Sequence, residues 1–172
     1  MMFDNEINRQ VVYYLGLCEI VEARLATSPK YGYAVRALDA AWRWVEHQDL
    51  SGAALADLDY DEEGFGVSGS MAVEKDKDLM PAWTCVAMAI GYAAFAAYLA
   101  EGSRMREDIE NADSEKDRDT VARLFRTMVP LETMLAHYQN ALDLLPVHGM
   151  TRSVVRDWAF AALHAAAADS AA

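Results

Sequence analysis

Apolar residues recur at three- and four-residue spacing through most of this chain. Val11, Tyr14, Leu15, Cys18, Val21 and Leu25 make one stripe, which predicts a first helix over about Asp4 to Ala26. Ser28-Pro29 reads as an N-cap followed by proline at the first helical position, and it opens a second helix over about Pro29 to His47. On that helix Val35, Leu38, Trp42 and Val45 form one face, and Ala34, Ala37, Ala41 and Trp44 another. Trp42 and Trp44 are two positions apart and point about 200° from each other. Such a helix is either central, the expectation here, or carries one ring on a functional surface. Asp49 to Leu58 predicts a short helix. Asp57 to Ser70 reads as the longest loop, glycine-rich and acidic. An apolar helix follows from about Leu79 to Glu101, with Gly102 as its C-terminal cap.

Beyond it, Ser103 to Asn111 predicts a short helix or turn, and Ser114 with Asp117 opens another helix. Val121, Leu124, Phe125, Met128, Leu131, Leu135, Tyr138, Leu142 and Leu145 keep helical phase through Pro130. Unbroken phase predicts a kink there rather than a break, with Pro146 ending the element. The last helix is expected over about Thr151 to Ala168, burying Val154, Trp158, Ala161 and Ala165, with the final residues frayed. No stretch alternates as a strand would. The expected fold is therefore all-α: a single domain spanning residues 1–172, built as a bundle of five to six helices.

Length and composition agree with that reading. A chain of 172 residues, 53% of them hydrophobic, buries roughly 70% of its unfolded surface without covalent staples. Cys18 and Cys85 each lie in an apolar helical pattern and are expected as buried free thiols. The first residues show no basic region followed by an apolar run, so a cytoplasmic location is expected. Leu79 to Ala100 is uncharged and long enough to span a bilayer. Its many alanines, Pro81, Thr84 and a flank of mixed charge make a buried central helix the expectation instead.

Charge narrows the functional classes. The chain has 27 acidic and 15 basic residues and a net charge of -12, which repels nucleic acid and anionic lipid and attracts basic partners. Asp57, Asp59 and Asp61 match the first positions of a calcium loop. Glu62 stands where that loop needs glycine and Ser68 where it needs glutamate, so specific calcium binding is not expected. Two readings remain for the segment: a solvated acidic connection, or an acidic recognition loop in which Asp59, Tyr60, Asp61, Glu62, Glu63 and Phe65 contact a basic protein partner. The aromatics favour the second, since contact anchors are typically aromatic.

None of His47, His137, His148 and His164 sits in a di-iron or zinc-protease pattern. Gly64-Phe-Gly66 lacks the lysine and the preceding strand of a phosphate cradle. Neither cysteine has an activating neighbour in sequence. No catalytic residue, metal or cofactor is therefore expected. The mixed-sign segment Glu101 to Asp119 reads as a solvated, salt-bridged face.

Two stretches carry a resemblance. One is Arg36-Ala-Leu-Asp-Ala-Ala-Trp-Arg-Trp-Val-Glu46. The other is Trp83, then Ala89-Ile-Gly-Tyr-Ala-Ala-Phe-Ala-Ala-Tyr98, then Glu101-Gly102. Together they resemble the all-α immunity proteins of bacterial polymorphic toxin systems, in particular the sixth numbered immunity family, over roughly residues 30 to 110. The resemblance implies a non-enzymatic protein that binds a cognate toxin domain and blocks its active site or substrate access. An acidic inhibitor suits a basic toxin, because opposite fields speed encounter. Two other classes stay open: a small-molecule-binding helical domain with a pocket beside Trp42, Trp83 or Trp158, and a helical enzyme with a dispersed site.

Overall fold

The computed structural model describes residues 5–110, 118–129, 132–144 and 150–171. Its α-helices are α1 (Asn5–Val21), α2 (Tyr31–His47), α3 (Gly52–Asp59), α4 (Val67–Val73), α5 (Met80–Glu101), α6 (Glu107–Glu110), α7 (Arg118–Met128), α8 (Glu132–Leu144) and α9 (Arg152–Ser170). Short 3₁₀ turns cover Glu22–Thr27 and Lys77–Leu79. The described residues are all-helical and contain no strand, as expected, but they form nine α-helices rather than five or six. Two differences account for most of the excess. The segment read as one loop from Asp57 to Ser70 contains the end of α3 and the start of α4, leaving only Tyr60 to Gly66 as loop. The element read as continuous through Pro130 is described as two helices, and Pro130 and Pro146 lie outside the described residues, as do Ser114 and Asp117.

The hub is α5, which packs against α1, α2, α3, α4 and α7. Ala82, Trp83, Cys85, Val86, Ala89, Ile90, Gly91, Tyr92, Ala93, Ala94, Ala96, Ala97 and Tyr98 are all buried, so no polar face exists. A helix apolar all round belongs inside. By length and composition the Lys77–Glu101 stretch is apolar enough to cross a membrane, but here the neighbouring helices take up its surface. Its small residues let them approach closely. It ends where expected, at Gly102 in the left-handed conformation (φ 63°).

The single apolar stripe expected on α1 proves too narrow. Gln10 to Glu19 is buried without a break, because α5 covers one side while α8 and α9 cover the other. Gly16 makes the second contact possible. A Cβ there would lie 1.9 Å from the Tyr138 hydroxyl and 2.8 Å from Val155 Cγ1. That hydroxyl donates to the carbonyls of Val12 and Tyr13, at 3.1 and 3.2 Å.

Three boundary expectations are also corrected. The first helix tightens into a 3₁₀ turn from Glu22, closed by the Ser28 N–H donating to Leu25 O. Ser28 does not cap α2, which starts two residues later than expected. Its hydroxyl donates to Glu74 Oε2 at 2.6 Å and accepts from the Lys30 N–H. On α9 the buried stripe is Val155, Ala159, Ala162 and Ala166, one position on from the expected Val154, Trp158, Ala161 and Ala165. Packing against Gly16 favours the alanine-lined face over the one bearing Trp158. Both Trp42 and Trp44 are buried, so α2 is central as expected.

Candidate partner-binding surface

The acidic loop sits on a firm base. Ser51 caps α3 by accepting from the Ala54 N–H at 3.1 Å. The Gly52 N–H donates to Glu101 Oε1 at 2.7 Å, and a Cβ at Gly52 would fall 2.5 Å from the Tyr98 ring. α3 is thus clamped to the last turn of α5 by Tyr98 and Glu101, two residues of the aromatic-and-alanine pattern read in the sequence.

The loop closes on itself. Asp61 Oδ1 accepts from the N–H groups of Glu63 (3.0 Å) and Phe65 (2.8 Å). The Asp61 N–H donates to Phe65 O, and the Gly64 N–H to Asp61 O, both at 3.0 Å. The turn needs glycine. Gly66 has φ 114°, and a Cβ there would meet Asp59 O at 2.5 Å. Asp59 in turn accepts from the Ser68 hydroxyl at 2.8 Å, tying the end of α3 to the start of α4.

The six residues singled out in the sequence therefore divide. Asp59 and Asp61 are half-buried, Asp61 bonded within the loop and Asp59 to Ser68 of α4. Glu62 and Glu63 are exposed, and Tyr60 and Phe65 are 49% and 47% exposed. Two rings and two carboxylates share one hydrogen-bonded turn. Asp57, the first of the calcium-like aspartates, pairs instead with Arg106, so Asp57, Asp59 and Asp61 do not converge as ligands.

Other candidate groups are engaged elsewhere. His137 Nε2 lies 3.0 Å from Asp169, His164 is exposed, and His148 lies outside the described residues. Cys18 Sγ donates to the Cys85 carbonyl oxygen at 3.5 Å, and both thiols are buried and free. Burial pushes the Cys18 thiol well above its ordinary range and Cys85 up to about 12, which leaves both as weak nucleophiles.

Sequence reading missed an ionic cluster built on the buried Glu19. Glu19, on the apolar side of α1, accepts from Trp42 Nε1 and Arg152 Nε, each at 2.8 Å. Arg152 also bonds Asp39, and its backbone N–H donates to Glu46 at 2.8 Å. The cluster borders an open, mixed-charge groove of about 640 Å³ lined by Glu46, Arg152, Ser153, Arg156 and Asp157. A signal was present: a carboxylate inside an apolar stripe requires a buried partner.

A family model described as Immunity protein Imm6 covers residues 9–123, a span that runs from α1 into α7 and includes the loop. No curated protein and no solved structure matches the chain.

Proposed function

From the premise that this chain belongs to the Imm6 immunity protein family, we propose that it neutralises a cognate bacterial toxin by docking the Tyr60–Gly66 turn against the toxin domain. It is an immunity protein and not an enzyme, so the work is done by binding. Occlusion of the toxin's active site or substrate path is the mechanism, and the cytoplasm is where we place it. The carrying observation is the pair of half-exposed rings, Tyr60 and Phe65, held on a turn that also presents Glu62 and Glu63. Aromatic rings supply area that becomes dry on contact, and carboxylates around them steer a basic partner. The net charge of -12 acts in the same direction at longer range.

Binding kinetics with the cognate toxin at two ionic strengths test this. Tyr60→Ala or Phe65→Ala should cost about 1–3 kcal/mol, mostly as faster dissociation. Glu62→Gln with Glu63→Gln should slow association and flatten its salt dependence. If all of these bind and protect like the parent, the toxin docks elsewhere. A ligand pocket beside Trp42, Trp83 or Trp158 draws less support. The Trp42 and Trp83 rings are buried, with their N–H groups bonded to Glu19 and Glu74, and the half-buried Trp158 is not among the residues lining the groove.

A further inference from the structure

We infer that Arg106 is a positioning residue for the docking turn, a single guanidinium that sets the shape of the loop before the partner arrives. This rests on the reading of the Tyr60–Gly66 turn as the toxin-binding surface. Arg106 lies between α5 and α6, far along the chain from the turn. Its Nη1 donates to Asp57 Oδ1 at 2.7 Å and its Nη2 to the Tyr60 carbonyl at 2.9 Å. Its Nε and Nη2 also grip both oxygens of Asp108, at 3.0 and 2.6 Å. One planar fork thus joins α3, the first residue of the turn and α6. Only a guanidinium offers enough fixed donors to hold all three at once.

The point of attachment matters. α3 ends with the Tyr60 N–H donating to Ala56 O, so the Tyr60 carbonyl lies just past the helix end, where carbonyls have no intrahelical partner. Arg106 supplies the donor. That fixes the backbone of the residue whose ring is a proposed anchor. The fork is itself anchored. The N–H groups of Ile109 and Glu110 both donate to Arg106 O at 3.0 Å, and Ile109 is buried. A turn ordered in advance does not have to be ordered on binding, and that ordering is a main cost of association.

Charge and shape make opposite predictions here. Arg106→Gln removes a positive charge beside an acidic turn. If only the field mattered, the variant would associate faster with a basic toxin. Positioning requires the reverse. Arg106→Lys keeps the charge and loses the fork, so on a field account it would behave like the parent. We expect both variants to bind about fivefold more weakly, chiefly through faster dissociation. In the free protein, the amides of Glu63, Gly64 and Phe65 should exchange with solvent faster while the helical circular dichroism is retained.

Surface-based kinetics with the toxin domain, run beside Tyr60→Ala and Phe65→Ala, distinguish the failures. Parent-like binding by Arg106→Lys, or faster association by Arg106→Gln, while the ring variants weaken, overturns the inference and leaves the docking reading standing. Parent-like binding by all four overturns both. If Arg106→Gln does not fold, Asp57→Ala cuts one tie and leaves α6 intact. It should show the same faster dissociation, and parent-like dissociation would overturn the inference.

Discussion

Single residues decide how closely the helices meet. An alanine at Gly16 would gain about 1 kcal/mol of helix propensity. It would also drive a methyl group into Tyr138, whose hydroxyl is already held by two carbonyls. The clash should win, and Gly16→Ala should lose about 1–3 kcal/mol of stability by denaturant titration. Arg152 matters comparably. Its removal leaves Glu19, 2% exposed at the side chain, with the Trp42 N–H and with Arg156 at 4.0 Å. Arg152→Met should therefore cost about 1–3 kcal/mol, because it leaves a buried carboxylate short of a partner while Arg152 itself is 29% exposed. Glu19→Gln should cost less. Both cysteines should resist thiol reagents at neutral pH until the protein unfolds, since burial disfavours the thiolate. Much at this scale was legible. Cys18, Trp42 and Trp44 sit where their neighbours' spacing put them. Arg152 was not, because a partner 133 positions away from Glu19 leaves no trace in local spacing.

At the scale of elements, periodicity located α1, α2, α5 and α9, the short α3 and α6 fall within segments expected as short helix or turn, and α4 was missed. α4 was hidden because Gly66 and Gly69 inside or beside Val67–Val73 imitate a loop. The phase of α9 was misjudged because alanine is apolar enough for either face, and only contact with Gly16 chooses between them. One junction yields a pH prediction. Glu74, just past α4, joins the α1–α2 connection to α5. Its Oε2 accepts from Ser28 and Trp83, and its Oε1 from the Lys75 and Asp76 N–H groups. These bonds, the Ser28 hydroxyl first, hold its pKa down to about 2, against 4.5 unperturbed. A depressed carboxylate contributes stability above its unfolded pKa and loses it as pH falls through the folded value. The contribution should therefore be complete above about pH 4.5 and fade toward pH 2. Glu74→Gln should shrink the drop in Tm over that window and leave the rest of the profile unchanged.

For the whole molecule, the aromatic-and-alanine pattern indicated the family, and the net charge of -12 is what motivates the proposal of a basic partner. The loop proposed to bind was already named in the sequence, and the coordinates add its shape. Tyr60 and Phe65 are exposed on a turn that Gly66 and Arg106 hold, and neither of those two residues advertises that role in sequence. Family membership also extends earlier in the chain than the pattern suggested, taking in α1 from residue 9. The burial of α1 has a consequence in time. A ribosome makes α1 well before α9, and one side of α1 stays uncovered until α9 is made. Glu19 and Arg152 are separated by most of the chain, as are Gly16 and Val155. Through most of synthesis a helix that ends up buried from Gln10 to Glu19 stands half-clothed, the condition in which nascent chains aggregate or recruit chaperones. Nascent chains stalled before residue 152 emerges should be cut readily within α1 by protease, and chains that have released α9 should not. A chain that stops short of α9 should keep the first helix packed on α5 and leave its other side bare.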